Sequence, residues 1–226
     1  SVIAAEALVR WRLEDGTYLP PSSFVDIFEK NLFCSKLDFY MLKKAIQQIR
    51  KWIDMGMNPV NISVNQSKIV FYHENYISEI KSLLEEYNVS GSYITLEVLE
   101  STVIEDIDMF NSILTEVKKL GFSVSLDDFG SGYSSLNVLS KLQIDELKID
   151  RIFLHTKSEV DNQRTKWILE SIIDIAKKSQ ILVVVEGVES KQDDLFIKNL
   201  GADIGQGYFY GRPLSISAFN DLIETK

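Results

Sequence analysis

Cysteine, histidine and proline are scarce in this chain, and long apolar runs are missing. The one cysteine among 226 residues, Cys34, can form neither an internal disulfide nor a zinc cluster. With only four prolines, nothing reads as a linker, a repeat or a low-complexity tract. The longest apolar run near the C-terminus, Ile181 to Val185, is far too short to span a bilayer. Ser1 to Arg10 lack the basic start and apolar stretch of a signal peptide. The expected compartment is the cytoplasm, with a membrane anchor on a longer parent chain left open. Positive charge is in deficit, 24 Lys and Arg against 33 Asp and Glu, for a net charge of -9. Long nucleic acids need a basic surface and are disfavoured. A small anionic substrate stays compatible if metal ions or a few local cations hold it. The 45% hydrophobic and 25% charged content is ordinary for a globular protein, and the length suffices for a sizeable core.

Strand-like and helix-like segments alternate throughout. Apolar runs bounded by turn residues lie near Val2–Leu8, Val60–Val64, Ile94–Leu96, Ser123–Leu126, Glu146–Ile149, Ile181–Val185 and Ile204–Tyr208. Helical spacing fills the gaps. Asp38–Trp52 sets Leu42, Ala45, Ile46 and Ile49 on one face, and Tyr76–Tyr87 does the same with Ile77, Ile80, Leu83 and Leu84. Ile107–Leu120, Ile168–Lys178 and Asp193–Leu200 follow the pattern, with Gly121 and Gly201 placed as C-caps. Such alternation predicts an α/β fold with a parallel sheet, either open and doubly wound or closed as a barrel. About seven strands is one short of an eight-fold barrel, so a further N-terminal strand is expected outside this sequence.

Polar residues collect where the strands stop: Glu6, Asn61, Glu97, Asp127 with Asp128, Lys148 with Asp150, Glu186 and Gln206. In a parallel barrel all of these ends open on one face. Singly, each acid reads as a helix cap or a solvated charge. Together, four to six carboxylates need counter-charge, and their oxygens suit hard cations such as Mg²⁺ or Mn²⁺. Two such ions about 4 Å apart activate water for phosphoryl hydrolysis. His73 and His155 read as solvent-facing, which disfavours a zinc hydrolase or a Ser-His-Asp triad. The stretch Asp127-Asp128-Phe129-Gly130-Ser131-Gly132-Tyr133-Ser134-Ser135-Leu136 is the most specific. It reads either as a Ser-capped turn or, with two acids after a strand, as a metal-bearing loop.

Glu6-Ala7-Leu8-Val9-Arg10, Asn61-Ile62-Ser63, Glu97-Val98-Leu99-Glu100-Ser101, the Asp127–Leu136 loop, Lys148-Ile149-Asp150, Glu186-Gly187-Val188-Glu189, and Gln206-Gly207-Tyr208 with Arg212-Pro213 follow in one order along the chain. In that order they resemble the EAL domains, the cyclic di-GMP-specific phosphodiesterases of bacterial second-messenger signalling. The resemblance implies a modified TIM-like (β/α)8 barrel with one antiparallel strand, the first, which is missing from this chain. It implies a single domain over residues 1–226, truncated at the N-terminus. Glu6, Asn61, Glu97 and Asp127 resemble ligands of one Mg²⁺ or Mn²⁺, and Asp127, Asp128 and Glu186 ligands of a second. Lys148 resembles the residue that holds the attacking water, with Glu189 as the partner that orients it. Glu100 resembles an anchor for the Asp127–Leu136 loop. Arg10 is expected at a substrate phosphate, and Asp150, Gln206 and Pro213 near guanine or its ribose.

Leu99 stands where the family has Thr, Ser131 replaces a common Thr, and Val185 replaces a frequent Ala. The Asn61–Glu97 interval is a few residues long for the family, which suggests an extra turn around Tyr72–Asn75. The resemblance implies hydrolysis of cyclic di-GMP to linear pGpG, with Ca²⁺ as an inhibitor. The alternative is a non-catalytic cyclic di-GMP receptor or protein-interaction module. A homodimer through barrel-side helices, and a sensory or GGDEF domain on a longer parent chain, are implied partners.

Overall fold

The computed structural model describes residues 2–31, 33–100, 107–130, 136–154 and 159–224. The chain divides into two compact units. The first comprises Ser1–Val98, Ser112–Ser123 and Ile223–Lys226, and the second Leu99–Asn111 and Val124–Leu222.

In the first unit, strand β1 (Ala4–Glu6) leads to a small antiparallel hairpin, β2 (Trp11–Arg12) and β3 (Tyr18–Leu19). Helices α1 (Val25–Lys30) and α2 (Cys34–Asp54) follow, then strand β4 (Asn61–Gln66). Helices α3 (Lys68–Phe71) and α4 (Tyr76–Tyr87) lead to strand β5 (Ile94–Leu99). β1 and β5 both pair parallel to β4. Helix α2 buries Leu42, Ala45, Ile46 and Ile49, the face its periodicity predicts, and adds Trp52. Helix α4 ends at Asn88, whose left-handed φ of 50° suits an asparagine C-cap. Trp11, Phe24, Phe28 and Phe33 pack in succession through edge-to-face and tilted ring contacts.

Helix α5 (Ile107–Lys119) runs into the turn at Gly121. The second unit carries strand β6 (Ser123–Phe129), helix α6 (Leu136–Lys141), strand β7 (Glu146–Ile149), helix α7 (Glu159–Lys178), strand β8 (Leu182–Val185), helix α8 (Lys191–Leu200), strand β9 (Ile204–Gly205) and helix α9 (Ile216–Glu224). β6, β7, β8 and β9 pair in that order, all parallel. β8 is apolar throughout and buries Val183, Val184 and Val185, whereas β7 alternates Glu146 and Lys148 with the buried Leu147 and Ile149. Helix α8 starts at a capping box, Ser190 with Asp193, and ends at Gly201 with φ 86°.

All seven expected strands are present. The hairpin and helices α1, α3, α6 and α9 are additions, and α7 starts at Glu159 rather than near Ile168. Among the described residues no helix is long and apolar enough to cross a membrane. His73 is exposed, as expected, while His155 lies outside the described residues, as do Ser131 and the rest of the loop to Ser135.

Candidate metal centre

The second unit gathers acids at the ends of β6 and β8. Consecutive residues of a regular strand point to opposite faces, so Asp127 and Asp128 should diverge. They do not. The β6–β7 register shifts between Leu126 and Phe129, and Asp128 takes a left-handed φ of 57°. This kink, of the kind a bulge supplies, re-aims the second acid. Carboxylate oxygens of Asp127, Asp128 and Glu186 consequently lie within 4.8 Å of one another. Left-handed backbone costs a non-glycine residue about 1–3 kcal/mol, least for Asp and Asn, and it persists here where it clusters charge.

Lys148 of β7 reaches into this group. Its Nζ lies 3.1 Å from Asp127 Oδ1 and 2.7 Å from Glu186 Oε1, and the residue is 1% exposed. Asp127 Oδ1 also accepts the Asp128 N–H at 2.9 Å. Strand alternation predicts Asp150 beside Lys148. Instead β7 ends at Ile149, and Asp150 Oδ1 accepts the Ile152 N–H at 2.7 Å to cap a single 3₁₀ turn. Below Lys148, Glu146 pairs in register with Ser125. Burial raises its carboxyl above the usual range, against the lowering effects of the Ser125 hydroxyl and the Lys148 charge.

The buried Glu100 accepts the Gly130 N–H on Oε2 at 3.4 Å, which links the residue after β5 to the loop after β6. Gly130 has φ 97°, and a Cβ there would collide with the Phe153 ring. Glu189 is exposed and offers its N–H to Asp193 of the capping box. Gln206 is half-buried, its N–H held by the Val185 carbonyl. Past it, the Arg212 guanidinium lies 4.6 Å over the Tyr208 ring, Tyr210 donates to Asp194 at 2.6 Å, and Pro213 is exposed.

In the first unit, Glu6 and Glu97 lie near the carboxyl ends of β1 and β5, with Glu97 buried. Asn61 does not stand with them. Its Oδ1 accepts from Thr95 and its Nδ2 donates to the Ser92 carbonyl at 3.4 Å. It is level with Ala4, whereas Glu97 is level with Asn65. Four residues of strand span about 13 Å, too far for Asn61 to share an ion with Glu97. Asn65 fits instead, since its Nδ2 donates to Glu6 Oε1 at 3.1 Å. The signal was present in the sequence: Asn-x-Ser occurs twice around β4, as Asn61-Ile62-Ser63 and, four residues on, as Asn65-Gln66-Ser67. Choosing the second triplet removes the excess interval before Glu97 and the need for an extra turn. Arg10 is exposed, with its guanidinium on the Val9 carbonyl.

The donor set of the Asp127 cluster is all oxygen, with no thiolate or imidazole. Three carboxylates against one ammonium leave a negative excess that a hard divalent cation fits.

A family model of the EAL domain matches residues 1–213. MucR of Pseudomonas aeruginosa, named a bifunctional diguanylate cyclase/cyclic di-GMP phosphodiesterase, is 33% identical over 94% of this chain and 31% of its own length. The cyclic di-GMP phosphodiesterase NbdA of the same organism is 34% identical over 96% of this chain and 28% of its own. The chain therefore spans about a third of the length of these curated relatives. Among solved structures, the MucR phosphodiesterase in complex with cyclic di-GMP superposes with a TM-score of 0.88 at 32% identity, covering 97% of this chain and 88% of that one. The fold class is accordingly α/β, with the parallel strand–helix alternation of a TIM-like barrel. The chain belongs to the EAL domain family.

Proposed function

We propose that this chain is a metal-dependent phosphodiesterase that hydrolyses cyclic di-GMP to linear pGpG, acting as one EAL-type domain over residues 1–226. The observation that carries this reading is the Asp127–Asp128–Glu186 cluster with Lys148 inside it, in a chain whose relatives are named cyclic di-GMP phosphodiesterases. Glu6, Asn65, Glu97 and Asp127 would hold one Mg²⁺ or Mn²⁺, with Asn65 in place of Asn61. Asp127, Asp128 and Glu186 would hold the other. When bound, the ions lower the pKa of water and offset charge on the phosphodiester.

The residues then divide the work. Lys148 Nζ, a donor, orients the attacking water and manages its proton, and Glu189 steadies Lys148. Attack in line at one phosphorus breaks the bond to the 3′ oxygen, which leaves with a proton. Arg10 takes a phosphate oxygen by charge-assisted hydrogen bonding. Asp150, Gln206 and Pro213 line the guanine and ribose end. Glu100 accepts the Gly130 N–H and so steadies the backbone just after Asp128 and Phe129. A homodimer through the sheet-flanking helices belongs to this reading and is checked by light scattering.

The test is incubation with cyclic di-GMP and Mg²⁺, followed by chromatography. Appearance of pGpG is expected. Substitution of Ca²⁺, which prefers looser and higher coordination, should retain the nucleotide without turnover. Tight binding with no product in Mg²⁺ or Mn²⁺ would make the chain a receptor instead.

A further inference from the structure

Asp38, in the second turn of α2, is 6% exposed. A carboxylate there loses its hydration and must recover it from specific donors. Its Oδ2 accepts both the Ser67 N–H, at 2.9 Å, and the Ser67 hydroxyl. Ser67 occupies the N-cap position of α3, yet its side chain makes no capping bond to that helix, and its hydroxyl goes to Asp38. The neighbouring residue is held as well. Gln66 Oε1 accepts from the buried Tyr76 hydroxyl at 3.0 Å, and Gln66 Nε2 donates to the Asn65 carbonyl at 2.9 Å. Gln66 and Ser67 are thus anchored from two different helices, and Asn65 is tied to Gln66. Val70 and Phe71 already bury α3 by apolar packing, so a buried acid is not needed merely to seat this segment. What the polar clamp adds is a fixed position, of the sort a ligand-bearing strand end requires to within about 0.5 Å.

We infer that Asp38 is a positioning residue that fixes Asn65 at the carboxyl end of β4 through Ser67, and thereby sets cation affinity at the proposed centre. The inference rests on the phosphodiesterase reading above. A purely structural Asp38 would change melting and leave the affinity of the folded protein alone. A positioning Asp38 changes affinity in protein that is still folded.

The experiment measures Mn²⁺ binding by electron paramagnetic resonance on the full chain, with melting of the metal-free protein alongside. Asp38→Ala is expected to weaken Mn²⁺ binding about 10–100-fold, the usual cost of losing a group that orients a ligand. Asp38→Asn, whose amide oxygen can accept both Ser67 donors, should stay within about threefold of wild type. Added to Asn65→Ala, Asp38→Ala should bring no further loss, because the arm it positions is already gone. Wild-type affinity in folded Asp38→Ala, or an additive loss in the double variant, overturns the inference. Should Asp38→Ala not fold, Ser67→Ala carries the test; it keeps the backbone bond and is expected to lose about three- to tenfold, and no loss overturns the inference. If wild type itself binds no Mn²⁺, the phosphodiesterase reading fails and the inference falls with it. If wild type binds and Asn65→Ala binds equally well, the assignment of Asn65 is what fails.

Discussion

Lys148 places one ammonium between two carboxylates, 3.1 Å from Asp127 and 2.7 Å from Glu186, with almost no access to water. Buried charges of this kind contribute little net stability when complete and cost about 3–5 kcal/mol when one partner is removed. Lys148→Ala should therefore lower the melting temperature of metal-free protein, and Ca²⁺ should restore most of it by replacing the lost positive charge. On the proposed mechanism the same variant loses about 10²–10⁴ in kcat, the range for a positioned acid–base group, while cyclic di-GMP still binds in Ca²⁺ with near-wild-type affinity. Full turnover would reduce Lys148 to an ion-pair partner. Asp127 is argued differently. It is the acid proposed to touch both ions, and its Oδ1 is shared between Lys148 and the Asp128 N–H. Asp127→Ala should abolish hydrolysis even at saturating Mg²⁺. Retained wild-type turnover would sink the two-ion assignment.

The element that matters most is the end of β6, where a register shift and one left-handed aspartate turn two adjacent acids toward one point. The Gly130 N–H follows at once and is held by Glu100. Glu100→Ala should cut turnover strongly with little change in melting, because it frees the end of β6 that carries Asp128 rather than opening the core. A variant that turns over normally would count against that. Such a kink is hard to read from sequence, since nothing in Asp127-Asp128 announces a bulge. Most long elements were legible. The apolar faces of α2 and α4 and the runs of β6 to β8 follow the burial that holds them. The two-residue hairpin strands and the four-residue α3 were not, because elements that short are fixed by what they pack on rather than by their own pattern. Asn61 and Asn65 are hard to tell apart from sequence for a sharper reason. Asn61 and Asn65 have the same parity in β4 and present the same face. A shift of four residues keeps the side and changes only the height, and height is set by the register with β5.

For the whole molecule, hydrogen bonds from Thr17 and from Lys198 with Tyr210 hold the carboxyls of Asp15 and Asp194 below their ordinary range, which favours neutral over acid conditions. Asp38 opposes that trend. Burial pushes its carboxyl up to about 6 from an ordinary 3.8, despite the Ser67 hydroxyl and N–H that favour the anion. The folded state therefore binds this proton more tightly than the unfolded chain. Between about pH 4 and 6 the unfolded chain has released it while the folded protein still holds it, so stability from this group falls as pH rises and levels off above about 6. Asp38→Asn has no proton to lose and keeps the acceptor for Ser67. The difference between the two proteins isolates the effect from every other carboxylate. Urea unfolding of metal-free protein at pH 5 and pH 7 should show wild type losing about 1 kcal/mol relative to Asp38→Asn over that interval, since one pKa unit is worth about 1.4 kcal/mol. Parallel stabilities at the two pH values would mean that Asp38 is ionised throughout, held by Ser67 more strongly than burial opposes it.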